Sequence, residues 1–281
     1  PDTRPVVAES TVVFTAGGGL RAFDRAAGTE RWSYDAPGEL WVRPVVARRQ
    51  GTVLFAFNRE RNGFVDAVTL AGGNRAWRLD GIDRPNSLSP VVDGTFYVGF
   101  SDSFRGYSVD DGRPLSTAES HGPIAGVAAS ISSRERMLFA AGESLYLPLP
   151  RANDPVGAYD TAADELAWQY EPFGAPTSFD VWGETLAFGA RDNAVYGLNR
   201  ATGERRWRVQ REEPFTSVTA ARGVVWAIQD VEPTLLGIDA RTGAVHFERE
   251  MPLSLTSIFA VGQRVVVMGD SGVWTYRVEV A

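Results

Sequence analysis

Histidine, cysteine and lysine carry much of the nucleophilic and proton-transfer chemistry of proteins. This 281-residue chain has two histidines, no cysteine and no lysine. Without cysteine there is no thiolate nucleophile, no disulfide framework and no sulfur ligand for a metal. Without lysine there is no Schiff-base chemistry and no phosphate-loop lysine. His246 reads as an exposed strand residue, whereas His121, in Glu119-Ser120-His121-Gly122-Pro123, sits in a loop leading to an inner strand. A zinc site lacks ligands. A Ser-His-Asp triad around His121 has no Gly-x-Ser-x-Gly elbow to support it. Carboxylates abound, but no compact Asp-x-Asp-x-Asp-Gly calcium loop occurs. The residue types therefore predict no catalytic residue and no metal ligand, and a chain that is not an enzyme.

Asp, Arg and Trp do recur in a fixed array, and that array belongs to a turn. Its first copy is Ala22-Phe23-Asp24-Arg25-Ala26-Ala27-Gly28-Thr29-Glu30-Arg31-Trp32, and the cleanest echo runs from Gly197 through Asn199 and Gly203 to Trp207. Weaker copies hold Ala67, Thr69, Gly73 and Trp77; Gly106, Ser108 and Gly112, with Ser116 in the bulky place; Ala158, Asp160 and Trp168, with Asp164 in the glycine place; and Gly237, Asp239, Gly243 and Phe247. Asp or Asn at the end of a strand accepts hydrogen bonds from backbone N–H groups two residues on. Glycine supplies the positive φ of a tight turn. The tryptophan opens the next strand and buries a large surface.

Around each turn the same order of short strands repeats. Pro-Val-Val segments at 5–7, 44–46 and 90–92 precede apolar strands such as Val53-Leu54-Phe55-Ala56 and Val224-Val225-Trp226-Ala227. No amphipathic helix of ten residues or more is evident. Copies start about 40 to 50 residues apart, the period of propeller blades. The expected fold is all-β: a seven-bladed β-propeller of four-stranded antiparallel blades, forming one domain over residues 1–281. The blades fall at 4–34, 42–79, 89–117, 126–170, 176–209, 216–249 and 256–281. A β-sandwich does not explain the fixed period. The last blade stops at Ala281 where its turn glycine would fall, so it is expected to have three strands or a closing strand from elsewhere. The start at Pro1 reads as a processed product or an excised domain.

The net charge of −7 and pI near 5.0 argue against binding nucleic acid or an anionic membrane. No stretch is long and apolar enough to predict a transmembrane span, so no direct membrane insertion is expected.

The motif Ala-Phe-Asp-Arg-Ala-Ala-Gly-Thr-Glu-Arg-Trp at 22–32 resembles the repeat of the PQQ-like β-propeller family, the tryptophan-docking motif. The resemblance covers essentially the whole chain and is strongest at 20–34 and 195–209. It implies that Trp32, Trp77, Trp168 and Trp207, with Phe247 a reduced version, pack each blade on its neighbour. The family includes quinoprotein dehydrogenases, outer-membrane assembly lipoproteins and sensor domains of bacterial Ser/Thr kinases. The resemblance therefore implies an extracytoplasmic location, periplasmic or at the cell surface. The adjacent cysteines that many dehydrogenase members place beside the quinone cannot exist here.

The reading these residues support is a non-catalytic scaffold or sensor domain of a larger protein. It would bind a protein partner or small ligand through its channel-mouth loops. A regulatory domain that binds pyrroloquinoline quinone is the alternative, and a quinoprotein dehydrogenase a more distant one; otherwise no cofactor is expected. Loops joining outer to next inner strands gather on one face: 39–43, 83–87, 120–121, 171–174 and 213–216. Their candidate binding residues are Trp41, Arg43, Arg84, Asn86, His121, Phe173 and Phe215. Trp and Arg are favoured as binding anchors. Two longer loops, 58–63 and 142–155, should open on the same face, the second carrying the apolar run Leu145-Tyr146-Leu147-Pro148-Leu149-Pro150 as a docking element.

Overall fold

The computed structural model describes residues 5–16, 18–40, 42, 44–85, 87–100, 104–115, 139–141, 144–148, 155–160, 163, 165–229, 231–252, 254–261, 263–269 and 272–278. They form two compact units, Pro1–Leu145 and Tyr146–Ala281. Among the described residues there are seven antiparallel sheets and no helix.

In the first unit, sheet one holds β1 (Val6–Ala8), β2 (Thr11–Ala16), β3 (Gly19–Asp24) and β4 (Glu30–Asp35) in that order. Sheet two holds β5 (Glu39–Leu40), β6 (Val45–Ala47), β7 (Thr52–Arg59), β8 (Asn62–Thr69) and β9 (Arg75–Ile82). Both β5 and β6 pair with β7, one at each end. Sheet three holds β10 (Ser87–Leu88), β11 (Thr95–Gly99) and β12 (Phe104–Ser108). Sheet four, β13 (Phe139–Ala141), β14 (Ser144–Pro148), β15 (Val156–Asp160) and β16 (Glu165–Tyr170), contains the change from one unit to the other within β14.

The second unit continues with sheet five: β17 (Pro176–Trp182), β18 (Thr185–Ala190), β19 (Ala194–Asn199) and β20 (Arg205–Gln210). Sheet six is β21 (Phe215–Ala221), β22 (Val224–Gln229), β23 (Thr234–Asp239) and β24 (Val245–Glu250). Sheet seven is β25 (Leu255–Val261), β26 (Arg264–Gly269) and β27 (Gly272–Arg277), three strands among the described residues.

The apolar middle strands are buried on both faces, as in Thr185–Ala190, where every residue is buried. Outer strands alternate, as in Glu165–Tyr170, because one of their faces is wet. Core clusters lie between consecutive sheets. Leu20, Trp32, Phe55 and Phe57 join sheets one and two. Trp207, Phe215, Leu236 and Ile238 join sheets five and six.

The repeated turn has one geometry. The Oδ1 of Asp24 accepts from the N–H groups of Ala26 and Ala27, both at 2.8 Å. The Oδ1 of Asp239 accepts from Arg241 and Thr242, and that of Asn199 from Ala201. The small residue at the head of the motif lies directly across from the bulky one: Ala22 pairs Trp32, Ala67 pairs Trp77, Gly197 pairs Trp207 and Gly237 pairs Phe247. A β-bulge follows each small residue. At Gly197 an added Cβ would stand 2.0 Å from the Trp207 ring, so the indole lies over a bare backbone.

Three loop expectations are corrected. Glu39–Leu40 is strand β5 rather than loop. Residues 58–63 are not an open loop: β7 and β8 run to Arg59 and Asn62, leaving a two-residue hairpin in which Glu60 takes φ 58°. In the segment 142–155, Ser144–Pro148 forms β14, with Tyr146 buried against Trp168 at 6.0 Å between ring centroids and its hydroxyl donating to the Arg200 carbonyl. The bury-the-ring geometry removes Tyr146 from any docking role. The Pro-Val-Val strands are also broken in two sheets. β6 begins after Pro44, and β10 ends before Pro90, with only Val92 bridging back to Thr95. Proline has no N–H to give the ladder.

Candidate functional site

The first strands of sheets five and six run side by side in the same direction. Thr177 Oγ1 donates to the Phe215 carbonyl, the Val218 N–H donates to Ser178 Oγ at 2.7 Å, and the Ala220 N–H donates to Asp180 Oδ2 at 2.7 Å. Partner numbers rise together, as in parallel neighbours. Strands then alternate within each sheet, so the loops at 171–175, 191–193, 211–214 and 231–233 fall at one end of the second unit.

Side chains tie these loops into a ledge. The Tyr196 hydroxyl donates to Asp192 Oδ2 at 2.6 Å and accepts from the Phe173 N–H and from Arg208 Nε. Arg208 Nη2 reaches the same Asp192 oxygen at 2.7 Å. Gln210 donates to the Asp192 carbonyl, Asn193 to the Glu212 carbonyl and Gln229 to the Glu213 carbonyl. Backbone bonds add Arg191 N–H to Ala175 and Arg211 N–H to Asn193. Burial pushes the Tyr196 hydroxyl pKa up, and its bond to Asp192 pushes the same way. The bond to Asp192 raises Arg208 further still. Tyr196 and Arg208 therefore keep their protons through the neutral range.

On this ledge the Phe173 ring is 76% exposed, with the Arg208 guanidinium 5.4 Å from its centroid. Val231, in the loop after β22, is 67% exposed at the same end. The ledge thus presents an apolar ring on a hydrogen-bonded base, and the chemistry such a ring offers is contact rather than proton transfer. Among the described residues no group of three or more His, Asp or Glu could hold a metal ion.

The sequence candidates separate here. Phe173 is on the ledge. Phe215 is not: it is fully buried in the core between sheets five and six, where β21 begins, and is a packing residue. Arg84 is exposed in the first unit and donates to the Glu60 carbonyl. Trp41, Arg43, Asn86 and His121 lie outside the described residues, as do Ser116 and Asp164. His246 is exposed on β24.

The five bulky residues of the turn motif occupy one structural role apiece between sheets. The indole N–H groups of Trp32, Trp77, Trp168 and Trp207 donate to the carbonyls of Leu70, Val109, Arg200 and Ala240, all at 2.8–3.0 Å. Each acceptor is in the following sheet or its turn, beside the turn glycine on which the ring rests. At Gly203 an added Cβ would stand 2.5 Å from the Trp168 ring. Phe247 instead lies edge-on between Trp226 and Tyr276.

Residues that sequence reasoning passed over are Asp192, Tyr196 and Arg208. A signal was present: Arg208 follows Trp207 as Arg78 follows Trp77. In the first unit Arg78 grips Asp66 with two bonds of 2.7 Å, Tyr34 donates to the same carboxylate, and the guanidinium lies over Phe57. An arginine after the docking tryptophan thus meets an aspartate, a tyrosine and an aromatic face in both units.

Repeated four-stranded sheets joined by tryptophan latches define a β-propeller of PQQ-like repeats. The sequence matches the family described as outer membrane protein assembly factor BamB over residues 2–209 and 191–279, and the chain belongs to that family. It is similar in structure to BamB from Moraxella catarrhalis, with TM-score 0.71 and 16% identity over 95% of this chain and 81% of that one. It is also similar to the computationally designed Ika8 protein, with TM-score 0.68 and 13% identity over 98% of this chain and 96% of that one. At these identities the likeness shows the fold. Curated proteins give no significant sequence match.

Proposed function

We propose that this chain is a non-catalytic scaffold that binds a partner protein through the loop end of its second unit. The observation that carries the reading is Phe173, exposed on a hydrogen-bonded ledge and seated on Arg208. Aromatic anchors held rigid before binding lose little entropy on association, which favours them as contact points. Membership of a family named for outer membrane protein assembly supports a protein partner and an extracytoplasmic site of action. Against the quinone-binding alternative, Trp32 and Trp207 are buried and their indole N–H groups are spent on carbonyls, which leaves them no open face for a planar cofactor.

Co-purification from the native host with the tagged chain tests the proposal. Phe173→Ser combined with Val231→Ser should remove a specific partner while leaving the melting temperature unchanged. Equal recovery of that partner would move the binding surface away from the ledge.

A further inference from the structure

The ledge is unevenly charged once its internal pairs are set aside. Arg208 is committed to Asp192 and Arg211 to Glu248, at 2.7 and 3.1 Å. Among the described residues the side chains of Glu171, Glu212, Glu213 and Glu232 make no ion pair, and three of them, Glu171, Glu212 and Glu232, are exposed. Among the described residues of these loops the one guanidinium without a side-chain partner is Arg191. Four carboxylates and one guanidinium therefore sit in the same loops that carry the exposed Phe173 and Val231. The main-chain carbonyls of Glu212 and Glu213 are held by Asn193 and Gln229, so these carboxylates project from fixed backbone.

From this arrangement we infer that the ledge recognises a protein segment in which an apolar side chain is flanked by arginine or lysine. The inference rests on the reading that the ledge binds protein, and adds the chemistry of the partner. The apolar residue covers Phe173, and the flanking cations meet the carboxylates of these loops. Complementary charge at the rim of an apolar contact speeds association and excludes wrong partners. The same field disfavours an anionic membrane surface.

Three labelled peptides of equal length, mixed with the full chain and followed by fluorescence anisotropy, test it. One carries a Leu-Phe core between arginines, the second the same core between glutamates, and the third a Ser-Ser core between arginines. The first should bind about tenfold more tightly than either of the others, and its affinity should fall as salt is raised. Glu171→Gln with Glu212→Gln and Glu232→Gln should weaken the first peptide about fivefold and flatten its salt dependence, since rim pairs are individually modest. Phe173→Ser should weaken it as well. Equal binding of the arginine- and glutamate-flanked peptides, or no effect of the triple substitution, overturns the inference. If the glutamate-flanked peptide binds better and Phe173→Ser abolishes that binding, the partner chemistry falls while the ledge stays a protein-binding surface. If no peptide binds and Phe173→Ser leaves partner recovery intact, both readings fall.

Discussion

Asp24 closes its turn by accepting two backbone N–H bonds and one from Arg31, and these hold its carboxyl at about 2, below the ordinary 3.8. Asp239 is held below its ordinary value by the Thr242 hydroxyl first, then by backbone N–H groups. A carboxyl depressed in the folded state contributes stability that is present above its unfolded pKa and lost as pH falls through the folded one. Melting temperature should therefore stay level down to about pH 4 and drop between about pH 4 and pH 2. Asp24→Asn with Asp239→Asn should shallow that drop, because asparagine already serves the same turn at Asn199. An unchanged acid profile, read by thermal melts across this range, would remove these carboxylates from acid unfolding. Gly203 makes the second residue-scale case. Its φ of +72° penalises any side chain, and a Cβ would also strike Trp168, whereas Gly51, at φ +60°, has nothing within 4 Å. Gly203→Ala should cost about 2–4 kcal/mol and Gly51→Ala about 1–2 kcal/mol in denaturant unfolding. Equal costs would show that the ring contact adds nothing.

Between elements, Asp66 ties two sheets of the first unit together. It lies on β8 with no exposed surface, held by Arg78 from β9 of its own sheet and Tyr34 from β4 of the preceding one. Removing one member of a buried pair strands the other's charge, so Asp66→Leu should cost about 3–5 kcal/mol. Asp66→Leu with Arg78→Leu should recover much of that loss, since a packed apolar pair replaces both charges. A double-mutant cycle by urea unfolding measures the coupling, and additive costs would deny it. The tryptophan latches act at the same scale. Trp207→Phe keeps the ring's place but leaves the Ala240 carbonyl without its indole partner, and should cost about 1–3 kcal/mol. A cost near zero would show that the latch works by packing alone.

For the whole molecule, the charge of −7 without a single lysine sets what it avoids. The chain should pass a heparin column unretained at physiological salt, and retention there would contradict the exclusion of nucleic-acid-like polyanions. Within each unit, core clusters and tryptophan latches join neighbouring sheets, so stability is distributed among successive interfaces rather than held in one centre.

Repetition made the fold legible. Asp24, Gly28 and Trp32 recur at a fixed spacing, and the copies at 22–32, 158–168, 197–207 and 237–247 each mark the end of a third strand and the start of a fourth, because turn chemistry is local. The strand breaks at Pro44 and Pro90 were legible in principle, since a missing N–H is also a local fact. The candidate site was not legible in this way. Glu-Pro-Phe occurs twice, at 171–173 and 213–215, each time just ahead of or entering an inner strand. Phe215 opens β21 and is buried against sheet five, its carbonyl bound by Thr177. Phe173 falls three residues before β17 begins at Pro176, and Arg208 and Tyr196 hold it at the surface. The sequence by itself determined strand order, turn type and repeat class, all of which depend on near neighbours along the chain. Only the tertiary structure decided which phenylalanine faces water, because that depends on side chains from other strands brought beside it.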